Sequence, residues 1–246
     1  MKKVIRDSLI KIDYWYGIQD HLKSIGCETY VSKVPAFGTI DERARGLNDY
    51  LDHLFPNQGK KEVNLIAHSM GGLDARYLIS KLKNENFQVK SLTTVSTPHR
   101  GSEVADFVID HMNFPVLVSK AVPQLTTYYM EKFNQDVQND PKVAYFSYGA
   151  QFKPHWYNVF HYPHNIIRRR ILRSGGTHWE NDGLVSVESS KWGEYLGTLD
   201  GVDHLDLINW TNRLRSFFDS VVNKQEQFDA LHFYSHIVND LYKRGF

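Results

Sequence analysis

Cysteine, long apolar runs and a surplus of either charge are all scarce in this 246-residue sequence. The single cysteine, Cys27, excludes an internal disulfide and favours a reducing compartment. No run approaches the roughly 20 apolar residues that a membrane-spanning helix needs, and the first residues lack the apolar core of a signal peptide. Lys plus Arg number 29 against 28 Asp plus Glu, so no overall field attracts nucleic acid. We therefore predict a soluble intracellular protein with no transmembrane segment and no nucleic-acid partner.

The length fits one large domain, and an apolar content of 41% is enough for a substantial core. Helix-like and strand-like stretches alternate along most of the chain. The predicted helices lie at residues 14–25, 41–55, 70–84 and 225–242, and the predicted strands at 28–33, 62–67, 89–96, 142–149 and 194–199. This alternation predicts a mostly parallel sheet with helices on both faces and a functional site at the carboxyl ends of the strands.

The most informative stretch is the pentapeptide Ala67-His68-Ser69-Met70-Gly71, which joins an apolar strand to an amphipathic helix. A nucleophile elbow holds its serine in a rare backbone conformation, so the residues two before and two after it must be small, here Ala67 and Gly71. The N-terminus of the following helix directs free N–H groups toward the serine, where an oxyanion would form. The alternative is an ordinary serine in a strand-to-helix turn. The flanking strand and helix favour Ser69 as a nucleophile.

Two later turns carry the residues that a serine nucleophile needs. Asp182 lies in the turn-forming sequence Asn181-Asp182-Gly183, and His204 follows the predicted strand at 194–199. Acyl transfer requires a base to take the serine proton and an acid to fix the tautomer of that base. The chain order serine, aspartate, histidine is the order that hydrolases of this strand and helix layout use. We predict that Ser69, Asp182 and His204 form a catalytic triad, which needs no cofactor.

The segment after the third predicted strand, about 101–140, holds apolar and aromatic residues without a strand-like period. This pattern favours short helices, which in a hydrolase of this layout would form a cap over the site. The alternative is a set of ordinary core helices on one face of the sheet. Residues 151–179 are predicted to be an irregular aromatic segment.

Four ordered motifs carry a resemblance to a known family. They are Ala67-His68-Ser69-Met70-Gly71-Gly72, Ser96-Thr97-Pro98-His99-Arg100-Gly101-Ser102, Asn181-Asp182-Gly183-Leu184-Val185-Ser186 and Val202-Asp203-His204-Leu205-Asp206. Together they resemble the triacylglycerol lipases of the α/β-hydrolase superfamily, especially the intracellular, yeast-type fungal branch, over nearly the whole chain. The resemblance implies an α/β-hydrolase fold over residues 1–246, with a helical cap insertion at about 101–140.

The resemblance also implies hydrolysis of acylglycerols or other long-chain carboxylic esters. Ser69 would be the nucleophile, His204 the base and Asp182 the orienting acid. The Met70 backbone N–H would be one oxyanion donor.

The sequence departs from this family near its start. Family members carry, before the first helix, a strand that ends in His-Gly and supplies the second oxyanion N–H, whereas the first glycine here is Gly17, inside a predicted helix. A substitute strand at residues 2–12 is disfavoured by the charges of Arg6, Asp7 and Lys11. We therefore expect a truncated isoform, a misassigned start codon or a remnant. One missing oxyanion donor would cost about 100- to 1000-fold in rate. Two alternatives stay open: a non-catalytic lipase-like protein that binds lipid or a partner, and a phospholipase or esterase of the same fold.

Four other features need an interpretation. Asp206 matches the position of a calcium ligand in bacterial relatives, but no second ligand is recognised, so we predict no metal site. The histidines that follow no known ligand spacing are predicted to be ordinary loop or cap residues; they are His155, His161, His164 and His178.

The run Arg168-Arg169-Arg170 with Arg173 is predicted to be a solvated face, with contact to anionic lipid headgroups as the alternative. His68 is predicted to point away from Ser69 and to be structural.

Overall fold

In the part of the chain that the structure describes, four parallel strands form the central sheet: β1 (Lys61–His68), β2 (Phe87–Val95), β3 (Ala144–Gln151) and β4 (Glu194–Asp200). They lie side by side in chain order, and every neighbouring pair is parallel. The computed structural model describes residues 14–56, 60–83, 85–111, 119–210 and 228–246. Parallel pairing brings the carboxyl ends of all four strands to one edge of the sheet, which is where a functional site is expected.

Helices cover both faces of this sheet. On one face α1 (Ile18–Ser24) and α9 (Ala230–Lys243) bury an apolar side against β3, with Leu22, Phe233 and Phe146 in the same core cluster. On the other face α2 (Ile40–Leu54) packs on α3 (Gly71–Lys81), which lies against β1 and β2. A capping box between Thr39 and Glu42 starts α2. The predicted parallel sheet with helices on both faces is confirmed.

Among the described residues between β2 and β3, three helices lie in the segment predicted to form a cap. They are α4 (Glu103–His111), α5 (Ala121–Gln124) and α6 (Thr127–Asp136). The Asp106 carboxylate accepts hydrogen bonds from the backbone N–H and the hydroxyl of Thr127, so α4 is tied to the start of α6. Short helices are therefore present here, and their role as a cap stays a prediction.

The remaining helices follow β3. α7 (His161–Arg173) packs against α4, and the short α8 (Val187–Ser190) precedes β4. A 3₁₀ turn at Asp206–Ile208 follows β4. None of the described helices combines the length and apolar character needed to span a bilayer.

Two sequence predictions about secondary structure are wrong. Residues 28–33 form no strand, because the described part of the chain offers them no neighbouring strand to pair with. Residues 151–179 are not irregular throughout, since they include α7. Ile166 and Ile167 of α7 are buried, and the abundance of aromatic residues and histidines around them obscured this helical pattern. The substitute strand that the sequence disfavours at residues 2–12 would lie outside the described residues.

The carboxyl group of Glu103, at the start of α4, is buried although other atoms of the residue reach solvent. Its Oε2 atom has no hydrogen-bond partner among the described residues. Burial raises the pKa of Glu103 from 4.5 to about 7, and the nearby Asp106 carboxylate adds to this increase. The folded protein therefore holds this proton more tightly than the unfolded chain does.

We expect Glu103→Gln to stabilise the protein at pH 8 and to leave its stability unchanged at pH 4. Stability linked to a raised carboxyl pKa is fully present below about 4.5 and is lost as the pH rises through about 7. Glutamine imitates the protonated form, so the gain at pH 8 should be about 1–2 kcal/mol. Urea unfolding at both pH values measures it. The exposed Glu131→Gln is the control, and an equal effect of both variants would contradict the prediction.

Candidate active site

Ser69 directly follows β1 and has a left-handed backbone conformation, with φ 55°. Its backbone N–H donates to the Val95 carbonyl at 3.0 Å, which continues the pairing of β1 with β2 for one residue beyond the strand. The N–H of Gly72 donates back to the Ser69 carbonyl at 3.1 Å, and α3 begins at Gly71. A non-glycine residue in this region is strained, and here neighbours on both sides hold it. The backbone is that of a sharp strand-to-helix turn.

The closest approach in this turn is between Gly72 and Thr97, which belongs to the second of the four motifs. A methyl group on Gly72 would lie 2.2 Å from the Thr97 hydroxyl oxygen and 2.9 Å from a methyl carbon of Thr94. That hydroxyl donates to the Ser69 carbonyl at 2.7 Å. On Gly71 an added methyl would contact only the Ala67 Cβ, at an ordinary 3.8 Å. The sequence predicts that Gly71, two residues after Ser69, must be small, but the close packing is at Gly72.

We expect Gly72→Ala to destabilise the protein by about 1–3 kcal/mol, because the new methyl must displace Thr97 from the Ser69 carbonyl. Urea unfolding measures the change, and ester hydrolysis should fall along with it. Gly71→Ala is the matched control in the same turn and should change the free energy of unfolding by about 0.5 kcal/mol or less. Equal destabilisation by the two variants would contradict this reading of the turn.

His204 links the serine to Asp182. Its Nε2 atom lies 2.9 Å from Ser69 Oγ and its Nδ1 atom 2.6 Å from Asp182 Oδ2. With Nδ1–H donating to the carboxylate, Nε2 is free to accept the serine proton. Asp182 is fully buried and His204 is 5% exposed. The structure thus brings together the three side chains predicted to act as a triad.

The backbone holds Asp182 and His204 in place. Asp182 Oδ1 accepts hydrogen bonds from the N–H groups of Leu184 and Val185, at 2.9 and 2.8 Å. The His204 N–H donates to the Asp182 carbonyl at 3.0 Å, so the two turns are bonded to each other directly. A carboxylate that accepts several N–H bonds is stabilised in its charged form. The carboxylate can therefore act on Nδ1 from a fixed position.

The position of His68 differs from the prediction. Its ring lies 4.5 Å from the ring of His204, centroid to centroid, and its Nδ1 atom is 2.8 Å from the Tyr14 hydroxyl. Burial, together with the nearby His204, holds the pKa of His68 well below its usual range. Burial also raises the pKa of Tyr14 to about 12, so the hydroxyl keeps its proton and shares a hydrogen bond with Nδ1. His68 is thus a neutral ring that packs on His204, which alternation along an isolated strand could not reveal.

Met70 is the residue that the sequence analysis assigns to the oxyanion. It follows Ser69 at the N-terminus of α3, and its carbonyl accepts from the N–H groups of Leu73 and Asp74. Asp74 pairs with Arg43 of α2 through contacts of 2.7 and 2.9 Å to one carboxylate oxygen, which anchors the first turn of α3. Burial nevertheless raises the pKa of Asp74 to about 6. The donor role of Met70 stays a prediction.

Sequence reasoning missed a buried arginine behind the second motif. The Arg76 guanidinium lies 3.5 Å from the centroid of Trp192 and donates to Asn134 Oδ1 at 2.9 Å and to the Val137 carbonyl at 3.1 Å. It also lies 3.3 Å from His99 Nδ1. Burial lowers the pKa of Arg76 to about 9. An arginine within an otherwise apolar helical face is the sequence signal that could have indicated this cluster.

Asp203 and Asp206 cap the turn that carries His204. Asp203 Oδ1 accepts from the N–H groups of Leu205 and Asp206, and Asp206 Oδ2 accepts from the Asp203 N–H at 3.1 Å. Burial raises the pKa of Asp203 to about 6, and the Asp206 carboxylate adds to the increase. In the part of the chain that the structure describes, no three His, Cys, Asp or Glu side chains are grouped so that they could hold a metal. Of the four histidines predicted to be loop or cap residues, His161 and His164 lie in α7, and His164 is buried against Phe152.

Comparison with known proteins assigns this arrangement to a family. Residues 38–147 match the PGAP1-like alpha/beta domain family. The chain is similar to Triacylglycerol lipase 2 of Saccharomyces cerevisiae, with 49% identity over 97% of this chain and 76% of that protein. It is also 29% identical to a triacylglycerol lipase of Pseudomonas fragi, over 80% of this chain and 81% of that protein.

Among solved structures, the lipase of Staphylococcus hyicus superimposes with a TM-score of 0.71 at 20% identity, over 96% of this chain and 91% of that one. This likeness shows a shared fold, and it agrees with the parallel sheet and its two helical layers. Given this fold and the yeast relative, the chain belongs to the triacylglycerol lipase family of α/β-hydrolases.

Proposed function

We propose that this protein hydrolyses carboxylic esters of acylglycerols, as a triacylglycerol lipase, with Ser69, His204 and Asp182 as its catalytic triad. One observation carries the proposal: the His204 ring bridges Ser69 Oγ at 2.9 Å and Asp182 Oδ2 at 2.6 Å. The names of the yeast and bacterial relatives support the acylglycerol substrate. The lone Cys27 supports an intracellular site of action, which is part of the same proposal.

In the first half of the reaction, Ser69 Oγ attacks the carbonyl carbon of the ester while His204 Nε2 takes the serine proton. The negative charge on the former carbonyl oxygen is stabilised by the Met70 N–H at the start of α3. As the tetrahedral intermediate collapses, His204 returns the proton to the leaving glycerol oxygen. The products of this half are an acyl-Ser69 ester and a diacylglycerol.

In the second half, His204 takes a proton from water, and the resulting hydroxide oxygen attacks the acyl carbon. Collapse of this intermediate returns the proton to Ser69 Oγ and releases the fatty acid. Asp182 holds the Nδ1–H of His204 throughout and stabilises the imidazolium in both halves. The proton taken from Ser69 leaves with the diacylglycerol and the proton taken from water restores the Ser69 hydroxyl, so the protons balance and the cycle needs no cofactor.

Fatty-acid release from emulsified trioleoylglycerol tests the proposal. Parallel assays on dioleoylphosphatidylcholine and on 4-nitrophenyl acetate separate a lipase from a phospholipase and from a short-chain esterase. The control is the same protein after inactivation by a fluorophosphonate. The untreated protein should hydrolyse trioleoylglycerol, and the inactivated protein should release no fatty acid. Hydrolysis confined to either of the other substrates would replace the proposed substrate, and absence of all three activities would identify a non-catalytic lipase-like protein.

A further inference from the structure

Three large apolar side chains project into solvent from one loop between β3 and α7. Trp156 is 82% exposed, Tyr157 69% and Val159 77%. We call these three residues the aromatic tip. The rings of Trp156 and Tyr157 lie 5.6 Å apart at nearly a right angle, so they form one feature. Isolated exposed apolar residues are common, but three within four positions form a patch that calls for an explanation.

The aromatic tip is fastened to the edge of the sheet that carries the active site. Phe160 packs so closely on Gly183 that an added Cβ there would lie 2.6 Å from the Phe160 Cβ. The Phe152 N–H donates to the Asn181 carbonyl at 3.2 Å. Asn158, within the tip loop, lies close enough to Asp203 to lower the pKa of its carboxyl group. Both ends and the middle of the loop therefore contact the turns that hold Asp182 and His204.

A basic helix face continues from the tip. Tyr162, Arg169 and Arg173 of α7 are spaced by seven and four residues, which places them on one side of the helix. All three are exposed, and so is Lys153 before the tip. Among the described residues, the carboxylate that pairs with an arginine of α7 is Asp110, which binds Arg170 at 2.8 Å. The exposed arginines Arg169 and Arg173 are thus available to an external anion.

This combination fits a lipid surface better than a folded partner. Trp and Tyr side chains have a large apolar part and one polar group, and they are enriched at the boundary between lipid and water. A stable protein interface usually buries about 800 Å² on each partner, which three projecting side chains do not supply. The adjacent positive charge adds attraction to anionic headgroups.

We propose that the aromatic tip, with the basic face of α7 beside it, docks the protein on lipid surfaces that carry anionic headgroups. Docking would insert Trp156, Tyr157 and Val159 among the outer lipid chains and bring the active-site edge of the sheet to the surface. The benefit to catalysis rests on the proposed function, whereas the binding itself can be measured without any hydrolysis.

Vesicle flotation tests this proposal, with the full chain and vesicles of pure phosphatidylcholine or of phosphatidylcholine mixed with phosphatidylserine. The test variant is Trp156→Ser/Tyr157→Ser/Val159→Ser. The control is Tyr242→Ser, in which an equally exposed aromatic, 78% accessible, is removed from the last turn of α9. Tyr242 lies close to Arg244, which binds Glu194 at the start of β4, so the control is at the opposite edge of the sheet.

The wild type and Tyr242→Ser should bind the mixed vesicles equally, and the tip variant should bind them at least about tenfold more weakly. Arg169→Gln/Arg173→Gln should lose affinity for the mixed vesicles and keep the affinity of the wild type for pure phosphatidylcholine. Equal binding by the tip variant and the wild type, or no binding by the wild type, would overturn the proposal. Loss of self-association in the tip variant, without vesicle binding by any form, would instead identify a contact between copies of this chain.

Hydrolysis of the water-soluble 4-nitrophenyl acetate separates this proposal from the proposed function. All variants should hydrolyse it at the wild-type rate, since none of the substituted residues contacts the reacting atoms. Absence of hydrolysis together with tip-dependent binding would refute the enzyme and keep the docking surface. Normal hydrolysis, together with vesicle binding that does not depend on the aromatic tip, would keep the enzyme and refute the docking surface.

Discussion

Ser69→Ala should lower ester hydrolysis by about 10⁵- to 10⁶-fold, which is the cost of removing the nucleophile from a serine triad. The loss is specific to the Ser69 hydroxyl, because His204 Nε2 lies 2.9 Å from Ser69 Oγ and alanine has no such atom. The variant should also fail to form a covalent adduct with a fluorophosphonate, whereas the wild type gains one phosphonyl group. Intact-mass spectrometry measures the adduct, and circular dichroism verifies that both proteins are folded.

The chain offers a matched control in Ser96. This residue follows β2 as Ser69 follows β1, and it too has a left-handed backbone, with φ 47°. It is buried, and its side chain has no place in the triad. Ser96→Ala should therefore keep both the adduct and the turnover. Retained turnover in Ser69→Ala, or an adduct that survives that substitution, would mean that another residue is the nucleophile.

Asp182→Asn should lower kcat by about 10⁴-fold and leave KM nearly unchanged. The amide oxygen can still accept the N–H groups of Leu184 and Val185, so the turn should keep its shape. Its NH₂ group would then face His204 Nδ1 and donate to it. The proton of the ring would move to Nε2, which could no longer accept the proton of Ser69. Steady-state kinetics on a water-soluble ester measure the effect without interference from lipid binding.

Asp203→Asn is the control for this substitution, because Asp203 is the carboxylate next to His204 in the chain. Its Oδ1 atom accepts two backbone N–H groups, which an asparagine oxygen can also do. The rate of this variant should stay within about threefold of the wild type. A near-normal rate for Asp182→Asn would exclude it from the triad, and an equal loss in both variants would indicate a general disturbance of the turn.

The sequence was sufficient to predict the site residues where a local sequence pattern and a special backbone conformation coincide. The elbow and the turn at His204 each follow a strand, and parallel pairing brings such segments together. The turn at Asp182 follows α7 instead and is bonded to the His204 turn through the His204 N–H. The layered α/β fold followed from the alternation of strands and helices. Both kinds of inference depend on neighbours along the chain.

Features that depend on distant neighbours could not be read in the same way. The contact of His68 with His204 joins residues 136 positions apart, and strand alternation gives no information about which ring lies above it. The predicted strand at 28–33 has suitable residue types, but a strand also requires a partner for its hydrogen bonds. Arg76 required knowledge of Trp192 and Asn134, which lie on elements far along the chain.

The Arg76 cluster limits which parts of the chain can move to admit a large substrate. Its guanidinium holds Asn134 of α6 and the Val137 carbonyl just beyond it, and Lys81 of α3 binds Asp136 at 2.7 Å. Swinging α6 away would leave a buried cation without its acceptors, at a cost of about 3–5 kcal/mol. The C-terminal half of α6 is therefore held in place and does not move aside to open the site. Entry for a bulky lipid has to come from displacement of segments that the arginine does not hold.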